Sequence, residues 1–227
     1  MIGVGTSLLF DRRAGKAGPP IPPFNKAMVD AWFMSGLSNA DKPDSITGVM
    51  GNEMILKNFA FTSESGFGEG TYEGELVFDG VDDYGICTGL PILDDYTVIC
   101  RREIINKDYY SIASKSTVFG KGAFIFELIQ GRTNHCYSFS ADNQINLYNS
   151  EISWQTKNSY NGSTITVGNG EDTDTLTLGI IRVGDESKRY LKGAIFYFAL
   201  YNKSLTPEEI ETEKERLNEE WLKRKTE

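Results

Sequence analysis

Acidic side chains crowd two short stretches of this sequence, and they carry the first chemical expectation. Asp79, Asp82 and Asp83 form one stretch; Asn169, Glu171, Asp172 and Asp174 form the other. Calcium takes several oxygen ligands at close range, so Asp79, Asp82 and Asp83, or Asn169, Asp172 and Asp174, are candidate metal ligands. Asp and Asn equally serve turns, because their side chains accept bonds from nearby backbone amides. Calcium is the one ion suggested, and nothing in the sequence requires a cofactor.

Catalysis finds little to build on. His135 is the single histidine, which excludes multi-histidine metal centres and makes any Ser-His-Asp relay depend on that residue. Glycoside hydrolysis uses two carboxylates across one cleft. Asp172-Thr173-Asp174 is the nearest alternation, but Asn169 and Gly170 beside it mark a turn rather than a cleft strand. No glycine-rich loop leads into a helix as a phosphate cradle does. The chain is expected not to be an enzyme.

Sugar recognition needs aromatic surface together with amide, carboxylate or guanidinium groups for the hydroxyls. Residues 132–161 hold such a mixture, with Asn149 among it. The candidate ligand-binding residues are Arg132, Asn134, His135, Tyr148, Trp154, Tyr160 and Asn161, in or beside predicted loops. Trp32 and Trp221 read as core and helix-docking residues.

Strands must position these groups. From Ala27 onward, short β-branched and aromatic runs recur between Gly, Asn, Asp and Ser punctuation, the all-β pattern rather than the βαβ one. About ten to twelve strands are expected. The clearest are 76–78, 96–105, 123–130, 136–140, 144–148, 163–167, 175–183 and 190–201. In 123–130, alternation puts Phe124, Phe126 and Leu128 on one face and Ile125, Glu127 and Ile129 on the other. Both faces are largely apolar, as in a central strand covered on both sides. Leu176, Leu178 and Ile180 alternate with Thr175, Thr177 and Gly179, which predicts a half-exposed strand. Asp82-Asp83-Tyr84 and Asp94-Asp95-Tyr96 read as two similar turns leading into strands.

One helix is predicted, over 207–225. Thr206 is its N-cap, Pro207 its first residue and Glu209 the partner in a capping box. Ile210, Leu217 and Trp221 form a docking stripe. Glutamates lead and Lys223, Arg224 and Lys225 close the helix, matching its dipole.

The 227 residues, 40% of them hydrophobic, suffice for one sandwich with its own core. Residues 1–26 read as an arm, since Pro19, Pro20, Pro22 and Pro23 favour extended backbone; residues 27–227 read as one sandwich domain. The net charge of -9 argues against nucleic acid and anionic membranes as partners. No run is long enough to span a bilayer, and no secretion signal is expected at the N-terminus. Cys87, Cys100 and Cys136 read as buried thiols, with a Cys87–Cys100 disulfide as the alternative.

Leu76-Val77-Phe78-Asp79-Gly80-Val81-Asp82-Asp83-Tyr84 resembles the strand and turn that open laminin G-like jelly rolls of the concanavalin A-like lectin/glucanase superfamily. Gly193 to Ile210, with Asn202-Lys203-Ser204-Leu205-Thr206-Pro207, is similar to their closing strand and acidic helix. Asp30-Ala31-Trp32, Ser35-Gly36, Asn39, Asn58 to Phe61 and Ser65-Gly66 resemble a leader in uncharacterised proteins of gut bacteria and phages. The resemblance implies a two-sheet antiparallel sandwich that binds glycans on a concave sheet or rim loops, sometimes through calcium. The glucanases' Glu-x-Asp-x-Glu strand has no counterpart here, and a last-strand position often acidic in the family is Phe196.

The leading expectation is therefore a non-catalytic glycan-binding or adhesion module. The alternative is a structural part of a phage particle (fibre, tail or capsid surface), assembled through the arm. A glycoside hydrolase or lyase comes third. Localisation is left open, with a virion or cell surface compatible with either of the first two.

Overall fold

A computed structural model describes residues 23–73, 75–105, 109–118, 121–130, 133–146, 152–183 and 186–226. Most of the proline-rich arm, as well as Arg132 and Tyr148, lies outside them. Among the described residues, two eight-stranded antiparallel sheets face each other, a two-stranded ribbon (181–183 with 186–188) forms a separate small sheet, and Pro207–Arg224 is the helix. The chain is an all-β sandwich with a C-terminal helix.

The first sheet runs in the order 163–164, 159–160, 152–156, 97–104, 192–201, 76–79, 66–67. Met28–Phe33 also pairs with Lys192–Tyr201, along its second half. The second sheet runs 141–145, 133–138, 121–130, 109–118, 176–178, 84–87, 53–57, 45–47. Residues 28–67 thus supply strands to both sheets. Val98, Cys100, Phe198 and Leu200 from the first sheet meet Phe124, Phe126, Leu176 and Leu178 from the second in the central core. All three cysteines are buried and free, so Cys87 and Cys100 form no disulfide. Burial pushes the Cys136 thiol up to about 12, which leaves it unreactive.

The helix covers the outer face of the first sheet through Ile210, Leu217 and Trp221, packed on Ala31, Phe33, Tyr197 and Tyr201. The expected capping box at Thr206 and Glu209 is present. Arg101 lies between the two elements, its guanidinium carbon 4.1 Å from the Trp221 ring centroid and 5.3 Å from that of Phe196. Phe196, on the last strand, is therefore a helix-docking residue.

Several leader residues act as ties. The buried Asp30 carboxylate accepts from the amides of Ala31, Met50 and Asn52, which folds the 48–52 turn. A Cβ on Gly48 would sit 2.2 Å from Asp30 Oδ1, so the turn admits only glycine without rearrangement. Asn39 bonds both backbone groups of Phe67, at 2.6 and 2.7 Å, and so terminates that sheet edge as a further strand would.

Three sequence expectations are corrected. Leu128 does not share a face with Phe124 and Phe126. It lies outward with Ile125, while the buried Glu127 carboxylate points into the sandwich to meet Arg102. The cause is a bulge: Glu127 has φ of 49°, and the pairing with 133–138 shifts register between His135 and Tyr137. Strand 176–178 is buried rather than half-exposed, because Thr177 pairs between two strands and bonds Ser114 Oγ at 2.9 Å. The segment read as 175–183 also breaks at Gly179, which has φ of 76°.

Candidate functional site

Outward positions on strand 133–138 are set by alternation about the buried Cys136. His135 faces Leu128 and Gln144 in register, and Tyr137 faces Ile125 and Asp142. These side chains therefore share the outer face of the second sheet. His135 Nδ1 lies 2.7 Å from Asp142 Oδ1, a diagonal pair across two strands. The ionised carboxylate can only accept, so the imidazole donates. Tyr137 also hydrogen-bonds Asp142; burial first, then this carboxylate, raises its phenol to about 12.

Beneath these groups lie Ile125, Leu128 and Ile181, an apolar floor to which strand 181–183 contributes the isoleucine Ile181. The Asp142 side chain is half exposed, Gln144 is exposed and His135 is 18% exposed. The arrangement offers solvent a carboxylate already oriented by two donors, an imidazole and an amide above apolar packing. Such a rim can exchange hydrogen bonds with a polyhydroxylated ligand.

The other ligand-binding candidates are not brought together here. Trp154 lies on strand 152–156 of the first sheet, outward, packed beside the helix-covered cluster. Asn161 Oδ1 accepts from the Trp154 amide at 2.8 Å and so closes that hairpin. Tyr160 is inside the core, donating to Glu127 at 2.7 Å, and contributes no surface. Asn134 alternates with His135, opposite Ile129 and Ile145, both core residues. The described members of the set expected in or beside loops thus divide among two opposite faces and the core, and the four of them other than Asn161 lie on strands. The reading missed Tyr137 and Asp142, although their spacing about Cys136 and the Ser138–Ala141 hairpin was there to be counted.

The two acidic stretches behave differently from each other. Asp79, Asp82 and Asp83 offer oxygens within 4.8 Å of one another. Two of the three already serve the turn. Asp79 accepts from the amides of Val81 and Asp82, while Asp83 accepts from Ser65 Oγ and the Asp79 amide. Burial, opposed by those bonds and helped by the neighbouring aspartates, pushes Asp83 up to about 7. In the second stretch Asp172 is buried against Lys115, Nζ to Oδ2 2.5 Å, and accepts from the Leu93 amide. Lys115 also donates to the carbonyls of Pro91 and Thr173. A lysine ammonium therefore sits beside Asp172 Oδ2, while Oδ1 is buried without a hydrogen-bond partner among the described residues. Asp174 accepts from Thr175, and Asn169 is exposed.

No family model matches the sequence, and no curated protein matches it. Solved structures do. A botulinum neurotoxin serotype D/C binding domain gives a TM-score of 0.53 at 12% identity, over 81% of this chain and 50% of that one. A botulinum neurotoxin DC binding domain in complex with rat synaptotagmin II gives 0.52 at 10%, over 86% and 52%. A mutant Trypanosoma rangeli sialidase displaying trans-sialidase activity gives 0.55 at 14%, over 90% and 34%. The likeness is one of fold. This chain spans about half the length of the neurotoxin chains and about a third of the sialidase. Within the described residues no helix is long and apolar enough to cross a membrane.

Proposed function

We propose that the chain is a glycan-binding or adhesion module of concanavalin A-like type, acting without catalysis. The observation that carries this reading is the His135–Asp142–Tyr137 arrangement on the outer face of the second sheet, an oriented carboxylate beside an imidazole over an apolar floor. The likeness to neurotoxin binding domains supports the fold part of the reading by analogy. The pairing of Asp172 Oδ2 with Lys115 weighs against the hydrolytic reading, because that carboxylate already neutralises a buried ammonium.

A broad glycan array probed with the full chain, with and without calcium, tests the proposal. Binding that is lost in Asp142→Asn, with the thermal midpoint unchanged, supports this face as the site. Absence of binding to every glycan under both conditions overturns the reading.

A further inference from the structure

At the 66–67 edge of the first sheet, which Asn39 terminates, the structure holds a cavity of about 520 Å3. Its walls are the turn Gly36–Ala40, residues 67–69, Glu73 and Lys225, just past the end of the helix. These walls are preorganised. Ser38 donates its amide and hydroxyl to Asp41, Asn39 is tied to both backbone groups of Phe67, and the amides of Gly68 and Glu73 bond Glu75 and Gly70.

Leu37 and Ala40 supply apolar lining; Glu69, Glu73 and Lys225 supply charge, and the ring of Phe67 is turned into the core. Lys225 is already committed, its Nζ 3.1 Å from the buried Glu75 carboxylate and 5.2 Å from the Trp221 ring centroid. Glu69 and Glu73 have no ion-pair partner among the described residues. The carboxyl end of the helix, negative by its dipole, abuts the same wall: the Arg224 carbonyl oxygen would lie 3.4 Å from a Cβ on Gly36. The lining thus joins a small apolar wall to two carboxylates against one committed ammonium, and the cavity's volume falls in the range of small-molecule sites.

We propose that this cavity binds a small organic ammonium ion, a primary amine on a short apolar stem, with the stem against Leu37 and Ala40 and the charge beside Glu69 and Glu73. The probe is n-hexylammonium, compared with neutral n-hexanol, titrated against the full chain with backbone amide resonances as the readout. The expected result is movement of the Ala40, Gly68 and Glu73 resonances and binding about tenfold tighter for the ammonium than for the alcohol, a ratio worth ~1.4 kcal/mol. The preference should vanish in Glu69→Gln/Glu73→Gln. In the unsubstituted protein it should shrink as salt is raised to about 1 M, which needs no variant. Equal binding of the two probes, unmoved resonances at these residues, or a preference indifferent to salt would each overturn the proposal.

Discussion

Arg102 and Glu127 meet between the two sheets, guanidinium Nε and Nη2 lying 2.8 and 2.9 Å from the two carboxylate oxygens. Both side chains are almost wholly buried. Tyr160 donates to the same carboxylate, and Arg102 reaches Ser153 Oγ at 2.9 Å. The pair thus ties a strand of one sheet to a strand of the other at a single register. A buried ion pair adds little net stability over apolar packing, but losing one partner strands the other charge. Glu127→Ala should therefore cost about 3–5 kcal/mol in urea unfolding. The double variant Arg102→Met/Glu127→Leu should cost distinctly less. Equal costs for the single and double variants would show that the pairing is not what matters.

Asp83 makes stability depend on pH near neutrality. Its folded value, about 7, lies above the ordinary 3.8, so the folded state holds the proton more tightly. The resulting stabilisation is complete below about pH 4 and disappears as pH rises through about 7. Glu53 and Glu209, held low by hydrogen bonds at the surface, act in the opposite direction at acid pH. A variant comparison separates the two effects. The unfolding free energy of the protein relative to Asp83→Asn should rise as pH is lowered from 8 to 5, because asparagine does not titrate. A difference constant across that range would refute the assignment.

The helix was the most legible element, since Thr206, Pro207 and Glu209 encode its start locally, and the structure begins it at Pro207. The sandwich was legible from strand punctuation. Which face a residue takes was not, wherever strict alternation fails. One bulge at Glu127 sends Leu128 outward, and no local signal marks a non-glycine residue at positive φ. The candidate site suffered similarly. His135 and Asp142 are seven positions apart, and only the pairing of 133–138 with 141–145 makes them neighbours. Lys115 and Asp172 are 57 apart, so no reading of the acidic stretch alone could reveal its lysine.

That lysine gives a third prediction. Lys115 has no exposed side-chain surface, and burial pulls its ammonium below the ordinary range while Asp172 restores it in part. Asp172→Ala leaves the ammonium facing only the carbonyls of Pro91 and Thr173. A loss of about 3–5 kcal/mol is expected, read as a lowered urea midpoint. Lys115→Met/Asp172→Leu should recover much of it. If Asp172→Ala left stability intact but abolished turnover of an oligosaccharide, the hydrolytic reading would return.

Helix docking supplies the last prediction, and its magnitudes are ordered. Thr206→Ala removes one cap, whose hydroxyl accepts from the Glu209 amide at 3.3 Å, at a cost of about 1 kcal/mol. Trp221→Ala should cost more, about 3–5 kcal/mol. It opens a cavity beside Phe196 and removes the face on which Arg101 stacks. It also withdraws the indole N–H that donates to Glu75 at 3.1 Å. Burial already raises the Glu75 carboxyl, with Lys225 and Trp221 opposing the shift. Without the indole that carboxyl should rise further, so Trp221→Ala should be least stable, relative to the unsubstituted protein, at high pH. Denaturation curves at pH 5 and pH 8 check this. A smaller cost for Trp221→Ala than for Thr206→Ala would mean that the helix is held by its own caps rather than by the sheet.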